Sequence, residues 1–203
     1  MAEINETTTV EELAGIVATA LEEQGIQVAL VGGAVVSIYT HGEYESGDLD
    51  FVVYNTTMES RVDAIMSTLG FHRDGRMFTH PSSSFFVEFP PGPISIGRNY
   101  RVELDTMKMP TGVVRLLSPT DCVCDRLAAF FHWNDRRSLE HALMVASNQP
   151  IHLNRIKKWS AEEGGPDVAI KFQEFEQRYA AAIHGKARAR KTGKGEERPP
   201  PLK

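Results

Sequence analysis

Only two of the 203 residues are cysteine, Cys122 and Cys124. The segment that holds them reads as helix, where residues two apart point about 200° from one another around the axis. They neither bridge nor chelate together. With no third cysteine, a disulfide framework and a thiolate zinc site are both excluded, in agreement with a reducing compartment. Long apolar runs are lacking too. No stretch approaches the roughly 18 consecutive apolar residues of a membrane helix, and the opening MAEINETTTVEEL is acidic and polar where a secretory signal is basic and then apolar. These absences point to a cytoplasmic protein with no membrane partner. The seven histidines show neither i, i+4 nor H-x-x-E-H spacing, so each reads as structural or exposed rather than as a metal ligand.

What is present suits one globular domain, or one domain plus a small appendage: 41% of the residues are hydrophobic and 24% charged, which excludes a disordered or collagen-like chain. Charge is unevenly placed. From Gly185 onward there are seven Lys or Arg and two Glu, a local +5, so the overall −5 leaves −10 on residues 1–184. The body repels polyanions and the tail attracts them, with the attraction falling as salt rises. The tail also reads simply as a solvated, disordered end over 185–203.

Thr9 with Glu12 forms a capping-box pattern before Val10, Leu13, Ile16, Val17, Ala20 and Leu21, which predicts an amphipathic helix over 9–24. A short apolar strand over 26–31 runs into Gly32-Gly33, and a helix follows over 34–39. Residues 48–54 read as a strand with Asp48 and Asp50 on one face and Leu49, Phe51 and Val53 on the other. Met58, Val62, Ile65, Met66 and Leu69 mark a second amphipathic helix that Gly70 stops. Strands are predicted at 76–80, 84–89, 100–107 and 112–117. The Ser118-Pro119-Thr120-Asp121 start signal predicts a helix to about Trp133, and further helices are predicted near 136–147, 152–163 and 167–184. The organisation is a sheet-bearing core over 1–117, a helical subdomain over 118–184 and the tail.

Three features carry chemistry. Two carboxylates two apart on a strand project in parallel, and burying them without cations costs several kcal/mol. Asp48-Leu49-Asp50 is thus a candidate oxygen-ligand set for Mg²⁺ or Mn²⁺, or else a solvated strand end. Fourteen residues lie between Gly33 and Asp48. Gly32-Gly33, between a strand and a helix, offers free N–H groups to a phosphate, or is a tight turn with no ligand. Glu88 is a single acid in the apolar strand Ser84-Phe85-Phe86-Val87-Glu88-Phe89. It needs a partner: the metal held by Asp48 and Asp50, or a salt bridge to Arg98 or Arg101.

Together, VGGAVVSIYTHGEYESGDLDFVV resembles the signature of the polymerase-β-like nucleotidyltransferase superfamily. The resemblance implies an α+β nucleotidyltransferase fold, a mixed β-sheet with packed helices, followed by a C-terminal helical bundle. It implies further that Gly32 and Gly33 hold the triphosphate of an NTP such as ATP, and that Asp48 and Asp50 bind two divalent ions. By the same resemblance, Glu88 is expected to be a third ligand that helps activate the attacking hydroxyl. The length and the stretch LLSPTDCVCDRLAAFFHWND resemble small bacterial nucleotidyltransferases of toxin–antitoxin and phage-defence systems. That implies NMP transfer to an RNA (tRNA) 3′ end or to a protein, with a cognate partner protein; the alternative is a catalytically silent binding module or antitoxin. Gly33 stands where many catalytic members have serine, and no lysine is evident as a triphosphate clamp. Arg126, Arg136 and Arg137 are candidate phosphate grips, or else pair with Asp121, Asp125, Asp135 or Glu140 on their own helices. Trp133 either stacks on a base or simply ends a helix, and Ser46 and Tyr44 border the site.

Overall fold

The computed structural model describes residues 3–54, 59–99 and 101–191. Helix α1 (Val10–Glu23) begins with the capping box the sequence predicts: the Glu12 N–H donates to Thr9 Oγ1 and the Thr9 N–H to Glu12 Oε2. Strand β1 (Val28–Val31) leads into α2 (Gly32–Tyr39), so the diglycine is the first turn of the helix itself rather than a loop ahead of it. Strand β2 (Asp48–Val53) and α3 (Glu59–Thr68) follow. The predicted helix start at Met58 and strand start at Tyr100 lie outside the described residues.

A hairpin of β3 (His72–Asp74) and β4 (Met77–Thr79) comes next, its first strand unforeseen because its three residues are all exposed and carry no apolar alternation. Strand β5 is Phe86–Glu88, shorter than the predicted 84–89, because the Phe85 N–H turns to Ser83 Oγ instead of a neighbouring strand. β6 (Leu104–Met109) starts later than predicted, since the Glu103 N–H donates to Asp121 Oδ2 at 2.9 Å. β7 (Gly112–Leu117) falls where expected. The sheet order is β3-β4-β5-β2-β1-β7-β6, with β2–β5 and β1–β7 parallel and the other pairs antiparallel.

The helices α4 (Pro119–Trp133), α5 (Arg136–Asn148), α6 (Leu153–Glu163) and α7 (Pro166–Lys191) form the other half. Ser118 caps α4 by accepting from the Asp121 N–H, and Asp135 caps α5 by accepting from that of Arg137. α7 runs seven residues beyond the predicted 184, so the start of the basic tail is helical; 192–203 lie outside the described residues. Cations near a helix C-terminus suit its dipole.

The core joins both halves. Leu13, Leu30, Phe51, Phe78, Phe130 and Phe175 are all buried in one cluster. Arg155 of α6 locks the halves together: its Nη2 meets both Asp121 oxygens at 2.7 Å, and its Nη1 meets Glu103 Oε2. Buried Cys122 and Cys124 have their thiols pushed far up by burial, so neither is a ready nucleophile. Among the described residues, no helix is long and apolar enough to cross a membrane.

Candidate active site

Strand register assembles the acids. In the parallel β2–β5 pair, Asp48 lies opposite Phe86 and Asp50 opposite Glu88. Residues paired in register project to the same face, so Asp48, Asp50, Phe86 and Glu88 share one side while Leu49, Phe51 and Val87 are buried on the other. All three acids keep partial exposure. Among the described residues no ion pair reaches Glu88, and the predicted cations Arg98 and Arg101 sit in a loop fastened elsewhere. The Arg98 N–H donates to Glu163 Oε1 and that of Arg101 to Asn99 Oδ1.

The diglycine is pressed against this cluster. Val31 pairs with Asp50, and Gly32 takes a positive φ of 72°. A Cβ on Gly32 would stand 2.3 Å from Asp50 Oδ2. Only glycine accepts both that backbone and that approach. A Cβ on Gly33 would meet Ser46 Oγ at 2.6 Å and Tyr44 Oη at 3.3 Å. The N-cap position of α2 is Val31, which makes no side-chain cap, so no N-cap side chain satisfies the first N–H groups of the helix.

Electrostatics record the convergence. Burial first, then Asp48 and Glu88, raise the Asp50 carboxyl to about 6, with Arg126 opposing them. Arg126, on α4, is mostly buried and paired with its neighbour Asp125, through Nε at 3.0 Å and Nη2 at 2.5 Å. Burial works against its charge, but Asp125 more than restores it. Arg126 thus belongs to the site's field. Arg136 does not: both its Nη groups are held by Glu174 of α7, at 2.8 and 2.6 Å, over the Phe130 ring. Arg136 therefore pairs across two helices, not with an acid of its own helix. Arg137 is exposed on α5, and Trp133, 77% exposed, ends α4 before the left-handed cap Asn134.

Two further residues near the acids carry no signal in the sequence. Phe86 is 41% exposed beside Asp48, and an aromatic ring in a strand ordinarily signals core. His141 of α5 packs against Tyr44 with ring centroids 4.1 Å apart and planes tilted by 44°, and burial holds its imidazole below its usual range. No local pattern joins Tyr44 to His141.

Asp48, Asp50 and Glu88 offer carboxylate oxygens, the donor type that a hard divalent ion takes, on one face of the sheet. Among the described residues no group of three or more His, Cys, Asp or Glu side chains is arranged to hold a metal ion. Mg²⁺ ordinarily takes only one or two carboxylates and completes its shell with phosphate oxygens and water.

The architecture has solved counterparts. An antigenic nucleotidyltransferase-like protein from Paracoccidioides brasiliensis matches with a TM-score of 0.61 at 12% identity, over 89% of this chain and 94% of that one. The fold is that of the nucleotidyltransferases. The antibiotic-resistance factor ANT(2″)-Ia matches this nucleotidyltransferase fold with a TM-score of 0.51 at 15% identity, over 90% of this chain and 99% of that one. No protein-family model matches the chain, and no curated protein matches its sequence. At such low identity the likeness reaches the fold and stops there.

Proposed function

We propose that this protein is a metal-dependent nucleotidyltransferase that moves an NMP from an NTP to an acceptor hydroxyl and releases pyrophosphate. One observation carries the reading: the β2–β5 register sets Glu88 beside Asp50, on the same face as Asp48 and against the diglycine. Asp48, Asp50 and Glu88 would hold Mg²⁺ or Mn²⁺. The bound ions supply neutralisation of the triphosphate and acidification of the acceptor hydroxyl.

The chain's own groups do the rest. The N–H groups at Gly32 and Gly33 bind phosphate oxygens, and Arg126 adds positive charge once a phosphate competes with Asp125 for it. Glu88 takes the acceptor proton on its carboxylate as the new O–P bond forms at the α-phosphorus and the bond to the β-phosphate oxygen breaks. Arg136 is left out of the phosphate grip because Glu174 occupies it.

For the acceptor we favour an RNA 3′ end such as that of tRNA, with a protein hydroxyl second, in a toxin–antitoxin or phage-defence setting with a cognate partner. The basic segment from Gly185 supports a polyanion, and the setting rests on the resemblance of 116–135. The −10 on residues 1–184 favours a small cationic acceptor instead, and the likeness of fold to an antibiotic-resistance factor adds weight to testing an aminoglycoside. A catalytically silent binding module or antitoxin is the second reading. It is favoured by the Arg126–Asp125 pair and by the hydroxyls filling the space beside Gly33.

Incubation with each α-labelled NTP, Mg²⁺ or Mn²⁺, and RNA, protein extract or an aminoglycoside tests this. Labelled product lost in Asp48→Ala supports the transferase. A nucleotide-dependent rise in melting temperature with no product under either metal supports the silent module.

A further inference from the structure

Ser46 belongs to no element, yet it is among the most enclosed polar residues of the chain, 3% exposed. Its Oγ donates to Asp48 Oδ1 at 2.8 Å and stands 2.6 Å from where a Cβ on Gly33 would lie. The loop that carries it is fastened on two sides. Ser37 Oγ of α2 donates to the Tyr44 carbonyl at 2.7 Å, Asn148 Nδ2 of α5 donates to Glu43 Oε2 at 3.1 Å, and the Tyr44 ring rests on His141. A loop serine bonded two residues ahead commonly does no more than shape a turn. Here the bond ends on a carboxylate of the acid cluster, and the hydroxyl fills the one direction in which the second glycine lacks a side chain.

We propose that Ser46 is a positioning residue for Asp48, supplying from the loop the hydroxyl that the bend at Gly33 does not carry. The inference rests on the reading of the acids as a metal–nucleotide site. By donating to Oδ1, Ser46 fixes the Asp48 carboxylate in one rotamer and leaves Oδ2 free for a cation. Gly33 and Ser46 are thus a coupled pair: one hydroxyl fits between the bend and Asp48, and two do not.

Four variants of the full chain test this, Ser46→Ala, Ser46→Thr, Gly33→Ser and the double variant Gly33→Ser/Ser46→Gly. Each is read by melting temperature in EDTA, by the shift on adding Mg²⁺ with ATP, and by titration of that shift. Ser46→Ala should melt in EDTA about 3–6 °C below wild type yet remain cooperatively folded, and should bind Mg²⁺–ATP about tenfold more weakly, the scale of one hydrogen bond to a charged group. Ser46→Thr keeps the hydroxyl and should stay within about threefold of wild type, a rescue that space-filling alone would not give. Gly33→Ser should lose both stability and binding, and the double variant should regain both. Wild-type affinity in Ser46→Ala, or a double variant no better than Gly33→Ser, overturns the role of Ser46 and leaves the site standing. A wild type whose melting temperature ignores Mg²⁺ and every NTP overturns the site itself and the role of Ser46 with it.

Discussion

Asp50 should be more useful to function than to stability, and Asp50→Asn makes the difference measurable. Its carboxyl rises from 3.8 to about 6 in the folded chain, through burial first and then through Asp48 and Glu88. A raised folded value means that ionisation penalises folding: the penalty is absent below about pH 4, grows between about 4 and 6, and is complete above 6. Two units correspond to about 3 kcal/mol, which partial exposure to solvent reduces to about 1–2 kcal/mol. For a domain of this size each kcal/mol moves the melting temperature by about 2–4 °C. Asp50→Asn should therefore melt about 2–8 °C above wild type at pH 8 in EDTA, and the gain should largely vanish near pH 4. Adding Mg²⁺ and ATP should reverse the order. At a hundredfold excess over Kd the wild type gains about 2.7 kcal/mol, a gain the variant forgoes. Differential scanning calorimetry at both pH values, with and without ligand, reads all four states. A variant less stable than wild type in EDTA at pH 8, or equally stabilised at both pH values, refutes the account of crowded carboxylates.

Other outcomes follow from the same geometry. Glu88→Gln should keep Mg²⁺–NTP binding within about tenfold while turnover falls by about 10²–10⁴, since a proton acceptor is lost and the fold is not; a labelled-transfer assay beside a binding titration separates the two. Gly15 of α1 sits where a Cβ would be 2.2 Å from Thr111 Oγ1, so Gly15→Val should cost about 2 kcal/mol or more by overpacking, visible as a lower urea midpoint at unchanged slope. Arg155→Ala strands the buried Asp121 and should cost about 3 kcal/mol, against less than 1 kcal/mol for Arg178→Ala, whose partner Glu140 is exposed. Similar losses for the two arginines would sink that distinction. Transferase activity should fall as pH drops through about 6, because protonated Asp50 no longer donates to a cation.

Much of this architecture is written locally. The Thr9–Glu12 box, the Ser118-Pro119 start and the Asn134-Asp135 stop and restart each concern neighbours within one turn of helix, so the side chains that decide them are adjacent in sequence. The same holds for the face shared by Asp48 and Asp50, which a period of two guarantees in any strand. The β3 strand and the late start of β6 were not legible. One lacks apolar alternation, and the other is set by a carboxylate eighteen residues away.

From the amino-acid order alone came the shared face of Asp48 and Asp50 and the strand–glycine–helix order ahead of them, because those depend on periodicity and on what glycine does wherever it stands, while the class of fold came from the motif's resemblance to the nucleotidyltransferases. Only folding decided that Glu88 joins Asp50 on one face, that Arg126 stays within the cluster's field while Glu174 takes Arg136 away, and that Ser46 meets Gly33. Those are matters of strand register and helix docking across tens of residues. A one-residue slip in either strand would have turned the same side chains apart.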